Sequence, residues 1–183
     1  DIQVYQLGTS FVPHDNQGKQ IPCTTKLLGR HNINNILAGV CVGLTLGMEL
    51  EEIAERIPNI EPIEHRLSII NPGTGIIIID DAFNSNPIGA KAALDVLGQF
   101  KSGKRIIVTP GMVELGEDED RANYEFGREI AKICDIVILV GESRTKPIYE
   151  GLEKMRFNRN HIHVVNQLAQ ASEKIAELAR PGD

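Results

Sequence analysis

Four consecutive isoleucines, Ile76–Ile79, run straight into Asp80 and Asp81, then into Ala82-Phe83-Asn84-Ser85-Asn86 and Pro87. An unbroken β-branched run is the mark of a strand covered on both faces, as in a parallel sheet flanked by helices. A carboxylate inside such a strand would be costly to desolvate. Both aspartates therefore belong at its carboxyl end, the edge where open α/β sheets bind ligands. Asn86 suits the cap of a following helix and Pro87 its first residue. In isolation, two polar residues closing a strand would look the same; the rest of the chain favours the ligand edge.

Beyond this run, strand and helix patterns alternate. Strands are expected at Leu67–Ile70, Ile76–Ile79, Arg105–Thr109, Ile136–Val140 and Ile162–Val165. Helices are expected at Pro87–Phe100, Asp118–Ile133, Pro147–Met155 and Gln167–Ala179. That rhythm implies βαβ crossovers and an α/β fold with a doubly wound, mainly parallel sheet. The first 28 residues read differently, as short apolar runs broken by turn clusters such as His14-Asp15-Asn16-Gln17-Gly18, which suits antiparallel hairpins. Ile33, Ile36, Leu37, Val40 and Leu44 then fall at helical spacing, Gly47 ends that helix, and Leu50, Ile53 and Ile57 mark a shorter one. Pro58 and Pro62 bracket an aperiodic linker, which divides the chain into residues 1–61 and 62–183.

The formal charge of −6 over 183 residues, without clusters of Lys and Arg, argues against binding a nucleic-acid backbone. No apolar stretch reaches membrane-spanning length; Ile33–Leu46 is too short and is interrupted by glycine. Cys23, Cys41 and Cys134 are odd in number and lie in no metal-ligand spacing, which suggests packing residues in a reduced, cytoplasmic protein. The chain starts on a strand-like segment without Met and stops at Arg180-Pro181-Gly182-Asp183, where Pro-Gly-Asp commonly turns into a further strand. A piece of a longer protein is expected.

Gly98–Lys104 matches the start of a phosphate-binding loop, but Arg105 stands where Ser or Thr is needed. A helix precedes it and a strand follows, the reverse of the required order. Gly98 and Gly103 read instead as a helix end and a turn. Asn32 and Asn35, three apart in Gly29-Arg30-His31-Asn32-Ile33-Asn34-Asn35, can share a helix face, and their amides offer the paired donors and acceptors that suit an adenine edge. Capping of the helix by His31 or Asn32 is the plainer alternative. Arg66, just past the linker, can serve as a surface ion pair or as a charge clamp for phosphate. Thr109–Gly116 follows a strand and leads into an acidic helix start, on the edge expected for Asp81. His161 and His163 alternate along a strand and suggest no metal site.

Taken together, Gly29-Arg30-His31-Asn32 with Asn35, His65-Arg66-Leu67, Asp80-Asp81 with Asn84, Asn86 and Pro87, and Met112 with Glu114-Leu115-Gly116 resemble, in that order, the Mur ligase family of ATP-dependent amide-forming enzymes. The similarity runs over nearly the whole chain. It implies that residues 1–61 are the end of a central ATP-binding domain, with its β-hairpin and helices, and that residues 62–183 are most of a Rossmann-like carboxyl-terminal domain. Within the family, the resemblance is to the branch that joins D-alanyl-D-alanine to UDP-N-acetylmuramoyl-tripeptide through an acyl phosphate, in a cytoplasmic, monomeric enzyme of peptidoglycan synthesis. It implies adenine-side contacts for Asn32 and Asn35, with His31 as a further candidate. Arg66 would be a phosphate or hinge contact and Asp81 a ribose contact. Asn84, Asn86 and Glu114 would face the dipeptide or hold the loops that do. ATP and Mg2+ are the implied cofactors. The phosphate loop, the carbamylated lysine and a Lys-Gly-Ser element would lie outside the chain, which alone should be inactive.

Two positions depart from that branch. Phe83 stands where Tyr is common, and Pro110-Gly111 replaces Gly-Asp, so the amine substrate stays open. Another Mur-related ligase, of the muropeptide or folylpolyglutamate type, and a noncatalytic Rossmann-like binding module are the alternatives.

Overall fold

The computed structural model describes residues 1–183. Three short strands, β1 (Ile2–Tyr5), β2 (Gly8–Phe11) and β3 (Cys23–Thr25), form an antiparallel sheet in the order β1-β2-β3. Helix α1 (Arg30–Thr45) and the shorter α2 (Leu50–Arg56) follow. The buried α1 residues Ile33, Ile36, Val40 and Gly43 recur at helical spacing and so line one face. They meet Phe11, Cys23, Leu50, Ile53 and Ile57 in a common core. A 3-10 turn, Ile57–Asn59, leads into the proline-bracketed segment.

The isoleucine run does not form the expected strand. Only Ile78–Asp80 is extended, as β5, and its partner is β4 (Ser68–Ile70) in an antiparallel hairpin. The register Ser68↔Asp80, Ile69↔Ile79, Ile70↔Ile78 sets Ile69 and Ile79 against the buried cluster of Leu28, Leu67, Val96 and Phe100. Successive side chains of a strand face opposite ways, so Ile70 and Ile78 point outward, 44% and 45% exposed. The other edge of the run is taken by the end of the chain: Ile77 N–H donates to the Asp183 carbonyl at 3.0 Å, and Gly182 N–H to the Gly75 carbonyl at 2.7 Å. The run is thus covered on one face, and it lies outside the parallel sheet.

That parallel sheet comprises β6 (Ile106–Thr109), β7 (Ile136–Val140) and β8 (Ile162–Val165), in the order β6-β7-β8. Helix α3 (Pro87–Leu97) precedes it, α4 (Glu119–Ile133) and α5 (Glu142–Lys154) make the crossovers, and α6 (Leu168–Leu178) packs on β7 and β8. The α/β class with a parallel, helix-flanked sheet is as the alternation implied. Val137 and Leu139 join Ala90, Leu94, Met112, Phe126, Ile130, Ile148 and Leu152 in the main core. Ile136 and Ile138, on the opposite face of β7, are buried as well. The strand covered on both faces is therefore β7.

Helices α4 and α5 approach so closely that only glycine fits where they cross. A Cβ on Gly127 would strike the Ile148 carbonyl, and one on Gly151 the Tyr124 carbonyl. Helix α5 begins at Glu142, more than a turn ahead of the expected Pro147, which sits inside it. Proline's fixed φ fits a helix, so there it costs the missing hydrogen bond and a local distortion rather than a stop. Gly98 caps α3, and Gly103, at φ 76°, turns the chain towards β6, so the Gly98–Lys104 match is a helix-to-strand connection.

Candidate functional site

The site forms where residues 64–67 meet the end of β5. His65 and Leu67 both adopt left-handed backbone, at φ 61° and 51°. β5 and the residues after it hold them there: His65 Nδ1 lies 2.7 Å from Asp80 Oδ2, and Leu67 N–H donates to Asp81 Oδ1 at 3.1 Å. Between them the Arg66 guanidinium lies 4.0 Å from the centroid of the Phe83 ring. Both aspartates end a strand, as expected, but that strand belongs to the β4–β5 hairpin, so Asp81 does not share the carboxyl edge of the parallel sheet with Thr109–Gly116 as the alternation implied; both point back at the residues following the linker.

Asp81 is half-buried, and burial pushes its carboxyl above the ordinary carboxylate range. The Leu67 N–H, the nearby His31 and the Arg66 guanidinium pull the other way, while Asp80 adds to the upward push. His31 comes from the first turn of α1, and its Nδ1 is buried without a hydrogen-bond partner. The ring fits because Gly29, at φ 82°, has no side chain; a Cβ there would lie 2.9 Å from His31 Cε1. Gly29 itself occupies the cap of α1, and no side chain caps it, so neither His31 nor Asn32 has that structural task. Asn32 Nδ2 donates to the Leu28 carbonyl at 2.8 Å, and Asn35 Nδ2 to Asn32 Oδ1 at 3.3 Å. The two amides do share a face, with one donor of Asn32 already engaged. His31, Arg66 and Asp81 are brought together, and the Asn32–Asn35 pair stands on the same helix as His31.

The residues expected on the amine side make no hydrogen bond or ion pair with the side chains of this cluster. Asn84 is exposed. Asn86 caps α3, its Oδ1 accepting from Gly89 N–H at 2.9 Å, as its place before Pro87 suggested. Glu114 is exposed, at φ 63°. Its loop is fixed by a residue the sequence reading passed over. Asn123, 1% exposed on α4, accepts from Met112 N–H at 2.8 Å and donates to the Met112 carbonyl at 2.9 Å. The available signal was a lone amide on the apolar face of an otherwise amphipathic helix. Beside this loop a groove of about 640 Å³ runs between α3 and α4, floored by Ala90, Met112 and Phe126, with Lys91 and Arg121 among its lining residues. No group of three or more His, Cys, Asp or Glu side chains is placed to hold a metal ion. No helix is long and apolar enough to cross a membrane. Cys23 and Cys134 are buried, and burial pushes the Cys134 thiol up to about 12, in keeping with a packing role; Cys41 is exposed.

The parallel α/β half, with loops leaving the carboxyl ends of its strands, is a Rossmann-like domain. Residues 65–183 match the family described as Mur ligase, glutamate ligase domain, and the chain belongs to the Mur ligase family. The UDP-N-acetylmuramoyl-tripeptide–D-alanyl-D-alanine ligase of Bacillus subtilis is 30% identical across 100% of this chain, which covers 39% of that protein. The Escherichia coli ligase of the same name is 31% identical over 78% of the chain, and 31% of its own length is matched. In structure, the chain is similar to MurF from Acinetobacter baumannii, with a TM-score of 0.83 and 26% identity over 97% of this chain and 38% of that one. The fold is also that of Thermotoga maritima MurF in complex with ADP, at a TM-score of 0.81 and 20% identity, covering 100% of this chain and 40% of that one. The chain thus spans well under half the length of these relatives.

Proposed function

We propose that this chain is the carboxyl-terminal part of an ATP-dependent ligase of peptidoglycan-precursor synthesis that adds D-alanyl-D-alanine to UDP-N-acetylmuramoyl-tripeptide. The observation that carries the reading is geometric: Leu67, whose amide donates to Asp81 Oδ1 at 3.1 Å, packs with Leu28 beside Gly29 and His31, so that His31, Arg66 and Asp81 stand near one another across the two parts of the chain, at positions that resemble the nucleotide contacts of the family. The names of the Bacillus and Escherichia relatives supply the substrates.

In this reading Asn32 and Asn35, with His31, take the adenine side of ATP, Asp81 accepts from a ribose hydroxyl, and Arg66 faces phosphate oxygens. The tripeptide carboxylate attacks the γ-phosphorus and ADP leaves. The dipeptide amine then attacks the acyl carbon, phosphate leaves and the amine nitrogen gives up a proton. Asn84, Asn86 and the Met112–Gly116 loop, with Glu114, hold the amine where its attack is nearly intramolecular. Closure about Pro58–Pro62 keeps water from the acyl phosphate. No group of three or more His, Cys, Asp or Glu side chains is placed to hold magnesium here, and in this reading its ligands lie mostly outside these residues.

A second amine has an observation in its favour. The UDP-N-acetylmuramate–L-alanine ligase of Endomicrobium trichonymphae is 32% identical over 74% of the chain, as similar as the dipeptide ligases, and Phe83 and Gly111 depart from the dipeptide branch. The full-length enzyme, given ATP, the UDP-linked tripeptide or UDP-N-acetylmuramate as acceptor, and D-alanyl-D-alanine, single amino acids or glutamate as amine, should yield the dipeptide adduct of the tripeptide by mass spectrometry. An efficient glutamate or alanine adduct without the dipeptide one would move the protein to another branch.

A further inference from the structure

Arg66 stands between two residues whose backbones are left-handed, and neither His65 nor Leu67 is a glycine or asparagine that adopts such a φ cheaply. Strain of this kind persists only where surrounding contacts enforce it. Here they are complete: His65 is held by Asp80 through its ring and by Phe83 N–H through its carbonyl, at 2.7 and 3.3 Å. Leu67 is held by Asp81 at its amide, and its side chain is buried beside Leu28, Val96 and Phe100. The residue between the two grips is thereby presented to the Phe83 ring.

Arg66, like Arg30, Arg144, Arg156 and Arg180, has no carboxylate partner; what sets it apart is that its guanidinium rests on an exposed aromatic ring, that of Phe83. Stacking uses the face of the guanidinium plane and leaves its rim of N–H donors open to a bidentate oxyanion. It also restrains a side chain that would otherwise lose rotamer freedom on binding.

We infer that His65, Asp80 and Phe83 are positioning residues that hold Arg66 ready for an anionic group; this rests on the ligase reading, in which the anion belongs to the phosphate chain of ATP. Asp80 and His65 act through the backbone on either side of Arg66, and Phe83 acts on the guanidinium directly. None of the three needs to touch substrate.

The test uses the full-length enzyme. Asp80→Ala and Phe83→Leu should each lower kcat/KM for ATP by about tenfold or more, the scale expected when a binding group is misplaced. Phe83→Tyr, which keeps the ring, and His65→Asn, which tolerates the left-handed backbone and can donate to Asp80, should stay within about threefold of the parent. Added to Arg66→Ala, Asp80→Ala should cost nothing further, because its effect passes through the arginine. A multiplicative loss in the double variant overturns the proposal, as does a Phe83→Leu enzyme with parental kinetics. A second reading does not depend on turnover: the Nε–H resonance of Arg66 should carry a ring-current shift that vanishes in Phe83→Leu and collapses in Asp80→Ala. An unmoved resonance in Asp80→Ala sinks the positioning role even in an active enzyme. Collapse of the shift in a protein that makes no ligated product would strike the ligase reading and leave the positioning role standing.

Discussion

Two apolar runs in this chain look alike and behave in opposite ways. Ile136-Val137-Ile138-Leu139-Val140 forms the middle strand of the parallel sheet and is buried on both faces, whereas Ile76–Ile79 is half irregular and leaves its two middle side chains, Ile77 and Ile78, exposed to solvent. The difference lies in the neighbours. β7 has a hydrogen-bonded strand on each side and packed helices on both faces; β5 has one short antiparallel partner, β4, with single backbone bonds beside it to Gly182 and Asp183. Hydrophobic composition sets what a strand can bury, and pairing decides what it does bury. The exposed run is also the one that carries the candidate site residues at its end. Asp80 and Asp81 sit where backbone and side chains are held by a few specific polar contacts rather than by a deep core.

The sharpest test of that contrast is a pair of truncations. Ile138→Ala, in a fully buried site, should cost about 3 kcal/mol in urea unfolding, and Ile78→Ala under about 1 kcal/mol. Equal losses would mean that β5 is embedded as deeply as β7. Next in size is Gly127→Ala at the α4–α5 crossing, where a methyl group meets backbone that cannot step aside; about 2 kcal/mol is expected from a denaturant series, and a neutral result would show that the helices part easily.

The smallest effect is the most specific to the site. Burial raises the Asp81 carboxyl above its unfolded value, so the folded chain keeps this proton to higher pH than the unfolded chain does. The stability it contributes is full below the unfolded value and is lost as pH climbs through the raised folded one. Asp81→Asn stays neutral and can still accept from Leu67 N–H. It should therefore match or slightly exceed the parent in thermal stability near neutral pH, with the gain fading in acid, while the full-length variant loses about 1 to 3 kcal/mol in ATP use. A variant destabilised at neutral pH would show instead that attraction to His31 and Arg66 outweighs burial.

Much of the α/β half was legible because its signals are local. Ile136–Val140 and Ile162–Val165 match their expected limits, and Asn86-Pro87 opens α3 as its residue types require. The start of α5 was misread because a proline marks a first turn only when no helix is already under way. The pairing of β5 was misread because four identical side chains cannot say which of them face inward; that depends on a partner some ten residues away and on the last residues of the chain. Asp81, Arg66 and His31 became candidates through their order along the chain and its resemblance to the family, and the fold sets them near one another. Asn123 and the His65–Asp80 contact could not be named that way, since each is defined by a distance across the fold rather than by a pattern along it.

The hydrogen bond from Leu67 to Asp81 has a use beyond holding the backbone. An amide whose acceptor is a side-chain carboxylate, outside any helix or sheet ladder, exchanges its hydrogen with solvent whenever that carboxylate swings away. A carboxylate has lone pairs enough to accept from a ligand hydroxyl as well, so occupancy at Asp81 would fasten the amide rather than free it. The deuterium uptake of one backbone position thus serves as a native gauge of the site, readable without a label, a substitution or a turnover assay.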